Sequence, residues 1–148
     1  MFQTAVFIRS LTCAMVLLPL AAWPALAQQT APAPALTLEL NSAQTSDKGC
    51  RLTFVVNNSL GAELTKAAFE IALFNASGVV DRLTVLDFKE LPAGKTKVTR
   101  FDLAGVDCAG ISRILVNHAT ECAGEGVEPT ACLGKLKTTA KSDIAFGM

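Results

Sequence analysis

Four cysteines and one histidine are the residues of this chain whose types and spacing offer the clearest chemistry. Beyond residue 27, the cysteines are Cys50, Cys108, Cys122 and Cys132, and the histidine is His118. In an oxidising compartment, cysteines spaced like these pair as structural disulfides. The sequence contains no Cys-x-x-Cys dithiol motif, and a blue-copper site needs two histidines where this chain has one. The pattern therefore favours two structural disulfides over a redox pair or a metal centre.

The first 27 residues predict export, which supplies that oxidising compartment. Arg9 is the single charge of Met1–Ala27, and the apolar run Leu11–Ala22 follows it. The tripeptide Ala25-Leu26-Ala27 has the small-x-small pattern of a signal-peptide cleavage site. The apolar run is shorter than the roughly 20 residues of a membrane span, which disfavours the alternative of an uncleaved anchor. We expect a signal peptide at 1–27, a soluble periplasmic product, and no membrane span after cleavage.

The composition of the exported part argues against several partners. The whole chain has 13 Lys and Arg against 13 Asp and Glu, and loss of Arg9 with the leader leaves a net charge of about −1. Nucleic-acid binding needs a clustered basic face, but Lys95, Lys97 and Arg100 alternate along a predicted strand. Trp23, the single tryptophan, leaves with the leader, and the chain has no tyrosine. We therefore expect no nucleic-acid partner and no carbohydrate-binding surface, since the latter depends on those two aromatics.

Alternation of apolar and polar residues predicts a series of short strands separated by turns. The predicted strands are Leu36–Leu40, Cys50–Val56, Ala67–Phe74, Val79–Phe88, Lys95–Leu103, Ile111–Asn117 and either Lys135–Thr139 or Asp143–Phe146. A helix is the alternative for Ala67–Phe74, but the turn sequence that follows favours a strand. We expect Asn41–Gly49 to be a loop and residues 28–34 to be a flexible tail. The pattern predicts an all-β fold at 35–148, an immunoglobulin-like antiparallel β-sandwich of about seven strands.

Strand direction selects one pairing of the four cysteines. In an antiparallel sandwich the second and sixth strands run the same way, so Cys50 and Cys108, each just before one of them, lie at the same end. Cys122 lies beyond the far end of the sixth strand, roughly 20 Å away at 3.3 Å per residue. A disulfide requires Cα atoms within about 7 Å. We therefore predict the disulfides Cys50–Cys108 and Cys122–Cys132.

Catalytic groups are not recognisable in this sequence. A hydrolytic triad would have to use His118 as its base, and no Gly-x-Ser-x-Gly nucleophile elbow is present. Acidic neighbours such as Asp87 and Glu90 lie at predicted strand ends, where they are solvated. We assign no catalytic residue, no metal ligand and no cofactor, and we expect a protein that is not an enzyme.

A second apolar face is the candidate working surface. Its candidate residues are Val55, Phe74, Val80, Leu86 and Phe88. A patch that does not fit one core would be a partner site or a sheet edge open to strand addition. Partial cover by neighbouring loops is the alternative.

Three segments of the chain resemble a group of small exported alphaproteobacterial proteins. The segments are Lys48–Val56, Leu83–Leu103 around the turn Leu91-Pro92-Ala93-Gly94, and Cys132-Leu133. Proteins of that group are often labelled twin-arginine-pathway signal proteins, and no function is established for them. The resemblance implies a periplasmic location and no activity. This chain departs from the label because its leader has no paired arginines.

Two functions from different classes follow from these observations. The leading hypothesis is a periplasmic, non-enzymatic β-sandwich that binds another periplasmic protein or supports envelope assembly. The alternative is a small-ligand or metal-binding protein that uses His118 and the Cys122–Cys132 loop. An enzyme ranks third, and the sequence carries no feature that assigns an oligomeric state.

Overall fold

A computed structural model describes residues 31–148 of the chain. The predicted signal peptide, its cleavage site after Ala27 and residues 28–30 of the predicted tail therefore lie outside the described residues. Ala31–Pro34 are exposed and precede the first strand without regular secondary structure. The folded unit extends from Pro32 to Met148.

Eight strands form two sheets of four. The strands are β1 (Ala35–Ser46), β2 (Gly49–Ser59), β3 (Leu64–Asn75), β4 (Val80–Leu91), β5 (Thr96–Ala104), β6 (Ile111–Ala123), β7 (Leu136–Ala140) and β8 (Ala145–Gly147). A 3-10 turn (Cys108–Gly110) precedes β6, and one helical turn, α1 (Ala131–Gly134), precedes β7. Sheet 1 has the order β5-β2-β1-β7 and sheet 2 the order β4-β3-β6-β8. The predicted all-β sandwich is confirmed. Within residues 31–148 we find no helix with the length and hydropathy needed to cross a membrane.

The last two strands explain why the sandwich has eight strands rather than about seven. Both candidate segments near the C-terminus form strands, because the chain crosses from one sheet to the other between Ala140 and Ala145. β7 pairs with β1 and β8 pairs with β6, and both pairs are parallel. The expectation of a wholly antiparallel sandwich is therefore wrong at these two edges, while the other strand pairs are antiparallel.

The predicted loop at Asn41–Gly49 is mostly strand. A bulge between Leu40 and Ser42 lets β1 continue to Ser46 while it stays paired with β2. Only Asp47 and Lys48 form the turn. Gly49 then begins β2 with a φ of 144°, where a Cβ would clash with the backbone of the neighbouring Leu103. The polar composition of 41–46 reflects exposure at the end of a strand rather than a loop.

Phenylalanine rings join the two sheets at the centre of the core. Phe54 and Phe101 come from sheet 1, and Phe69 and Phe88 come from sheet 2. Phe88 packs edge to face against Phe101 at 5.0 Å and against Phe54 at 5.6 Å between ring centroids. Such pairs contribute about 0.5–1.5 kcal/mol each beyond the burial of their area. The rings therefore fix the spacing of the sheets that carry the outer surfaces.

Both predicted disulfides are confirmed. Cys50 at the start of β2 is bonded to Cys108 in the 3-10 turn, with Cα atoms 4.9 Å apart. This bond links sheet 1 to the segment that leads into sheet 2. Cys122 near the end of β6 is bonded to Cys132 in α1, with Cα atoms 5.8 Å apart. This second bond holds α1 against the end of the sandwich.

Candidate partner-binding surface

The structure divides the five predicted surface residues among three environments. Val80 is 49 % exposed and Phe74 is half-buried, and both lie on the outer face of sheet 2. Leu86 and Phe88 are 2 % and 1 % exposed and belong to the core, so their assignment to a partner surface is wrong. Val55 is half-buried on the outer face of sheet 1, away from the others.

A bulge in β4 is the reason that Leu86 and Phe88 point inward. Phe74 pairs with Val80 while the preceding Leu73 pairs with Arg82, so Asp81 is an extra residue. One extra residue reverses the inward and outward alternation of everything beyond it. Strict alternation from Val80 therefore predicts the wrong face for the second half of the strand.

Leu83 and Val85 take the outward positions that the sequence analysis missed. They are 55 % and 51 % exposed. Leu83 lies opposite Ala72, which lies opposite Leu115 on β6, so an apolar row crosses three strands. We define the sheet 2 patch as Phe74, Val80, Leu83, Val85 and Leu115. Among residues 31–148, four of the six exposed large hydrophobic residues lie between Val79 and Val85, and the other two are Val98 and Met148.

Charged side chains border the sheet 2 patch at both ends. The Arg113 guanidinium lies over the ring of Phe74, 5.4 Å from its centroid. At the other end, the Glu70 carboxylate accepts a hydrogen bond from Asn117 Nδ2 at 2.6 Å. His118 Nδ1 lies 3.4 Å from the same Glu70 oxygen. An apolar centre with a polar rim is the usual composition of a protein-binding surface.

The outer face of sheet 1 differs because it is mainly polar. Arg51 and Asp102 form an ion pair across β2 and β5, with Nε and Oδ1 2.8 Å apart. The hydrogen bond from Arg51 lowers the pKa of Asp102 and raises the pKa of Arg51. Val98 on the edge strand β5 is the one large hydrophobic residue exposed on this face among the described residues. The two outer surfaces of the sandwich are therefore chemically distinct.

Two basic side chains close the side of the sandwich between the edge strands β4 and β5. Lys97 Nζ on β5 donates hydrogen bonds to the carbonyls of Phe88 at 3.2 Å and Glu90 at 2.8 Å on β4. Arg82 Nη1 on β4 donates to the carbonyl of Ala104 at 2.9 Å. Inward-pointing charges on edge strands hinder pairing with another strand. The sheet 2 patch is therefore available as a face, while the adjoining edge is obstructed.

The acidic pair that the sequence singled out does not form a catalytic dyad. Asp87 accepts hydrogen bonds from the Nζ and the backbone N–H of Lys89, at 2.6 and 2.9 Å, which lower the pKa of Asp87. Its partner Lys89 has a left-handed φ of 63° at this end of β4. The backbone N–H of Glu90 and the ammonium of Lys97 lower the pKa of Glu90. Each carboxylate is thus ionised and held by its own lysine.

His118 lies beside a small cavity at the end of the sandwich that carries α1. The cavity has a volume of about 380 Å³ and is bounded by His118, Ala119 and Leu133 among others. Cys122 and Cys132 are bonded to each other, so neither sulfur is a free thiolate ligand. Within residues 31–148, no three His, Cys, Asp or Glu side chains are grouped closely enough to hold a metal ion.

Protein-family models, curated proteins and solved structures all give no match.

Proposed function

We propose that this protein is a periplasmic, non-enzymatic β-sandwich that binds another exported protein through the sheet 2 patch. One observation carries the proposal: exposed aliphatic side chains are concentrated on the outward side of the edge strand β4, and the buried Ala72 and half-buried Leu115 continue this apolar surface across β3 and β6. Scattered exposed hydrophobic residues are ordinary, whereas a contiguous patch with a polar rim indicates an interaction site.

The patch is also rigid, which favours binding. Its residues stand on paired strands whose opposite faces are packed in the core, so little conformational entropy is lost when a partner binds. Burying a half-exposed leucine or valine contributes on the order of 1 kcal/mol. Leu83 and Val85 are adjacent outward residues of β4, each more than half exposed, and are expected to contribute most.

The proposal includes the location and the type of sandwich. The order β5-β2-β1 in one sheet and β4-β3-β6 in the other supports an immunoglobulin-like arrangement, in which the first, second and fifth strands share a sheet. Two disulfides support an oxidising compartment. The leader pattern at 1–27 and the resemblance to exported alphaproteobacterial proteins support the periplasm.

Site-specific photo-crosslinking in living cells tests the patch. A photoreactive amino acid is placed at Leu83 and, as a matched control, at Val98, which is 58 % exposed on the opposite sheet. We expect an adduct with a second periplasmic protein at position 83 and none at position 98. Val85→Glu should reduce the adduct at position 83 at least about tenfold, because it places a charge at the centre of the contact.

The outcomes separate the proposal from its competitors. An adduct with twice the mass of the chain would identify self-association and contradict a heterologous partner. Equal labelling at positions 83 and 98 would contradict the patch as a specific site. The variant Val98→Glu should leave the adduct at position 83 unchanged.

A small-ligand function is the second candidate, because the cavity beside His118 is preformed. Its volume of about 380 Å³ lies in the range of small-molecule sites. Elemental analysis and native mass spectrometry of protein purified from periplasm would test it. Stoichiometric metal or ligand that is lost in His118→Ala would favour this candidate over the first.

A further inference from the structure

The second half of β1 has an edge that lacks a neighbouring strand. β7 pairs with β1 from Leu36 to Leu40, and Lys141 N–H donates the last bond of that row, to the carbonyl of Leu40 at 2.9 Å. The chain then turns away toward β8. β1 continues through Ser42–Ser46 paired only with β2 among the described residues.

Strand alternation identifies the backbone groups on this edge. Asn58 N–H donates to the carbonyl of Lys95. The even-numbered residues of β2 therefore direct their backbone N–H and C=O groups toward β5, and the odd-numbered residues direct theirs toward β1. Beyond the bulge, the odd-numbered residues of β2 lie opposite residues 42, 44 and 46 of β1. Ala43 and Thr45 therefore direct their backbone N–H and C=O groups away from β2, toward the open edge.

A cavity of about 630 Å³ lies beside this edge. Ile111 and Ile144, each 8 % exposed, supply apolar surface in its lining, and Ala43 packs against the core next to them. The segment from Lys141 to Ile144, which crosses between the sheets, forms one wall. The hydroxyl of Ser142 in that wall is buried and has no hydrogen-bond partner among the described residues.

We propose that this cavity, which we call the β1 groove, binds an extended peptide segment of another protein as an added strand. The segment would lie in the row of β7 but run antiparallel to β1, pair with the backbone of Ala43 and Thr45, and span about four or five residues. Side chains of a strand alternate between faces, so one apolar side chain would point inward to Ile111 and Ile144. Its neighbours would point to solvent and are expected to be polar.

The β1 groove differs from the edges of β4 and β5. The edges of β4 and β5 are obstructed by Lys97 and Arg82, whose side chains bond to carbonyls of the opposite edge strand. The groove holds main-chain groups beside a preformed space, and although Lys141 is in its lining, no basic side chain of residues 31–148 is hydrogen-bonded across it. It lies between the sheets at the edge of β1 and includes none of the residues of the sheet 2 patch, so this binding is separate from the function proposed for that patch, and either can fail alone.

A pair of synthetic peptides tests the groove by NMR titration of the isotope-labelled mature protein. The first is the capped pentapeptide threonine-threonine-valine-threonine-threonine, and the second is identical except for a methyl group on the valine nitrogen. In an antiparallel added strand, a valine opposite Ala43 points its side chain inward and its N–H to β1, so methylation removes one main-chain hydrogen bond and leaves the side chain intact. We expect shifts at Ala43, Thr45, Ile111 and Ile144 with the first peptide, at concentrations up to about 1 mM. Binding of the methylated peptide should be at least about tenfold weaker.

Proline variants provide matched controls in the protein. Thr45→Pro removes an N–H from the groove, and Val98→Pro removes an N–H from the free edge of β5 on the same sheet. We expect Thr45→Pro to weaken binding about tenfold or more and Val98→Pro to leave it unchanged. If Thr45→Pro fails to fold, the two peptides on the wild-type protein decide the question. Absent shifts in the groove, shifts confined to β4 or β5, or equal binding of both peptides would each overturn the proposal.

Discussion

At the scale of single residues, Asn58 contributes to stability through hydrogen bonds that no neighbour can replace. It is 1 % exposed at the end of β2. Its Nδ2 donates to the carbonyls of Ala62 at 2.9 Å and Leu91 at 2.8 Å, and its Oδ1 accepts from Leu60 N–H at 3.1 Å. One amide side chain thus holds the β2–β3 loop against the end of β4. A buried amide that makes all these hydrogen bonds stabilises the fold, whereas the same backbone groups without a hydrogen-bond partner would destabilise it.

Replacement of Asn58 by alanine should destabilise the protein by about 2 kcal/mol, because the buried carbonyl of Leu91, the part-buried carbonyl of Ala62 and the N–H of Leu60 lose their partner. The free energy of unfolding from urea titration measures the loss. Asn57→Ala is the control, since Asn57 bonds at the surface to Thr96 Oγ1 and should change stability by less than about 0.5 kcal/mol. Equal effects of the two substitutions would contradict this role of Asn58.

At the scale of elements, the faces and edges of the strands are set by irregular positions rather than by regular alternation. The bulge at Asp81 sends Leu83 and Val85 outward, and the bulge before Ser42 lets β1 extend past the end of β7. These irregularities generate the sheet 2 patch and the β1 groove, respectively. The disulfides act at the same scale, because each joins two elements that are not neighbours in one sheet.

The two disulfides should differ in how much they stabilise the fold. In the chain-entropy model the loop of 58 residues closed by Cys50–Cys108 and the loop of 10 residues closed by Cys122–Cys132 contribute about 4.2 and about 2.7 kcal/mol, respectively. We expect the Cys50→Ala/Cys108→Ala variant to lose about 1.5 kcal/mol more than the Cys122→Ala/Cys132→Ala variant. Urea unfolding without reductant measures both, and the reverse order would contradict the expectation.

At the scale of the whole molecule, opposite charges balance, and many lie at the surface in pairs between strands. Arg51 pairs with Asp102, Lys66 with Glu121, and Lys97 with Glu90. The hydrogen bond from Arg51 lowers the pKa of Asp102, and the hydrogen bonds from Lys89 lower the pKa of Asp87. The pKa of Glu90 is lowered by hydrogen bonds from its own backbone N–H and from Lys97. The sandwich therefore carries a set of carboxylates that the fold prefers in their ionised form.

Stability should fall on acidification for this reason. A carboxylate whose pKa is lower in the folded state stabilises the fold above its unfolded pKa of about 4, and this contribution disappears as the pH falls through the folded value. We expect the urea midpoint to be nearly constant from about pH 7 to 5 and to decrease below about pH 4. In Asp102→Asn the decrease should be smaller, because one such group has been removed. An identical decrease in both proteins would contradict the assignment to Asp102.

The sequence by itself determined the position of several strands and the pairing of the cysteines. Alternation in Leu36–Leu40 and Cys50–Val56 predicted strands correctly. The directions of the second and sixth strands were enough to select the disulfides Cys50–Cys108 and Cys122–Cys132. The strand predictions succeed because periodicity acts over short distances, and the disulfide predictions succeed because strand direction places Cys50 and Cys108 at the same end of the sandwich.

Only the tertiary structure decided which apolar residues of β4 are exposed and which edge of β1 is open. Leu83 and Leu86 have the same chemistry and lie on opposite faces of β4, and the single extra residue at Asp81 decides which of them is at the surface and which is in the core. Likewise, β7 pairs with β1 from Leu36 to Leu40 and then leaves it, although about a hundred residues separate the two strands. Register and strand pairing are settled by contacts between distant segments, because the best-packed core of the whole sandwich has the lowest free energy.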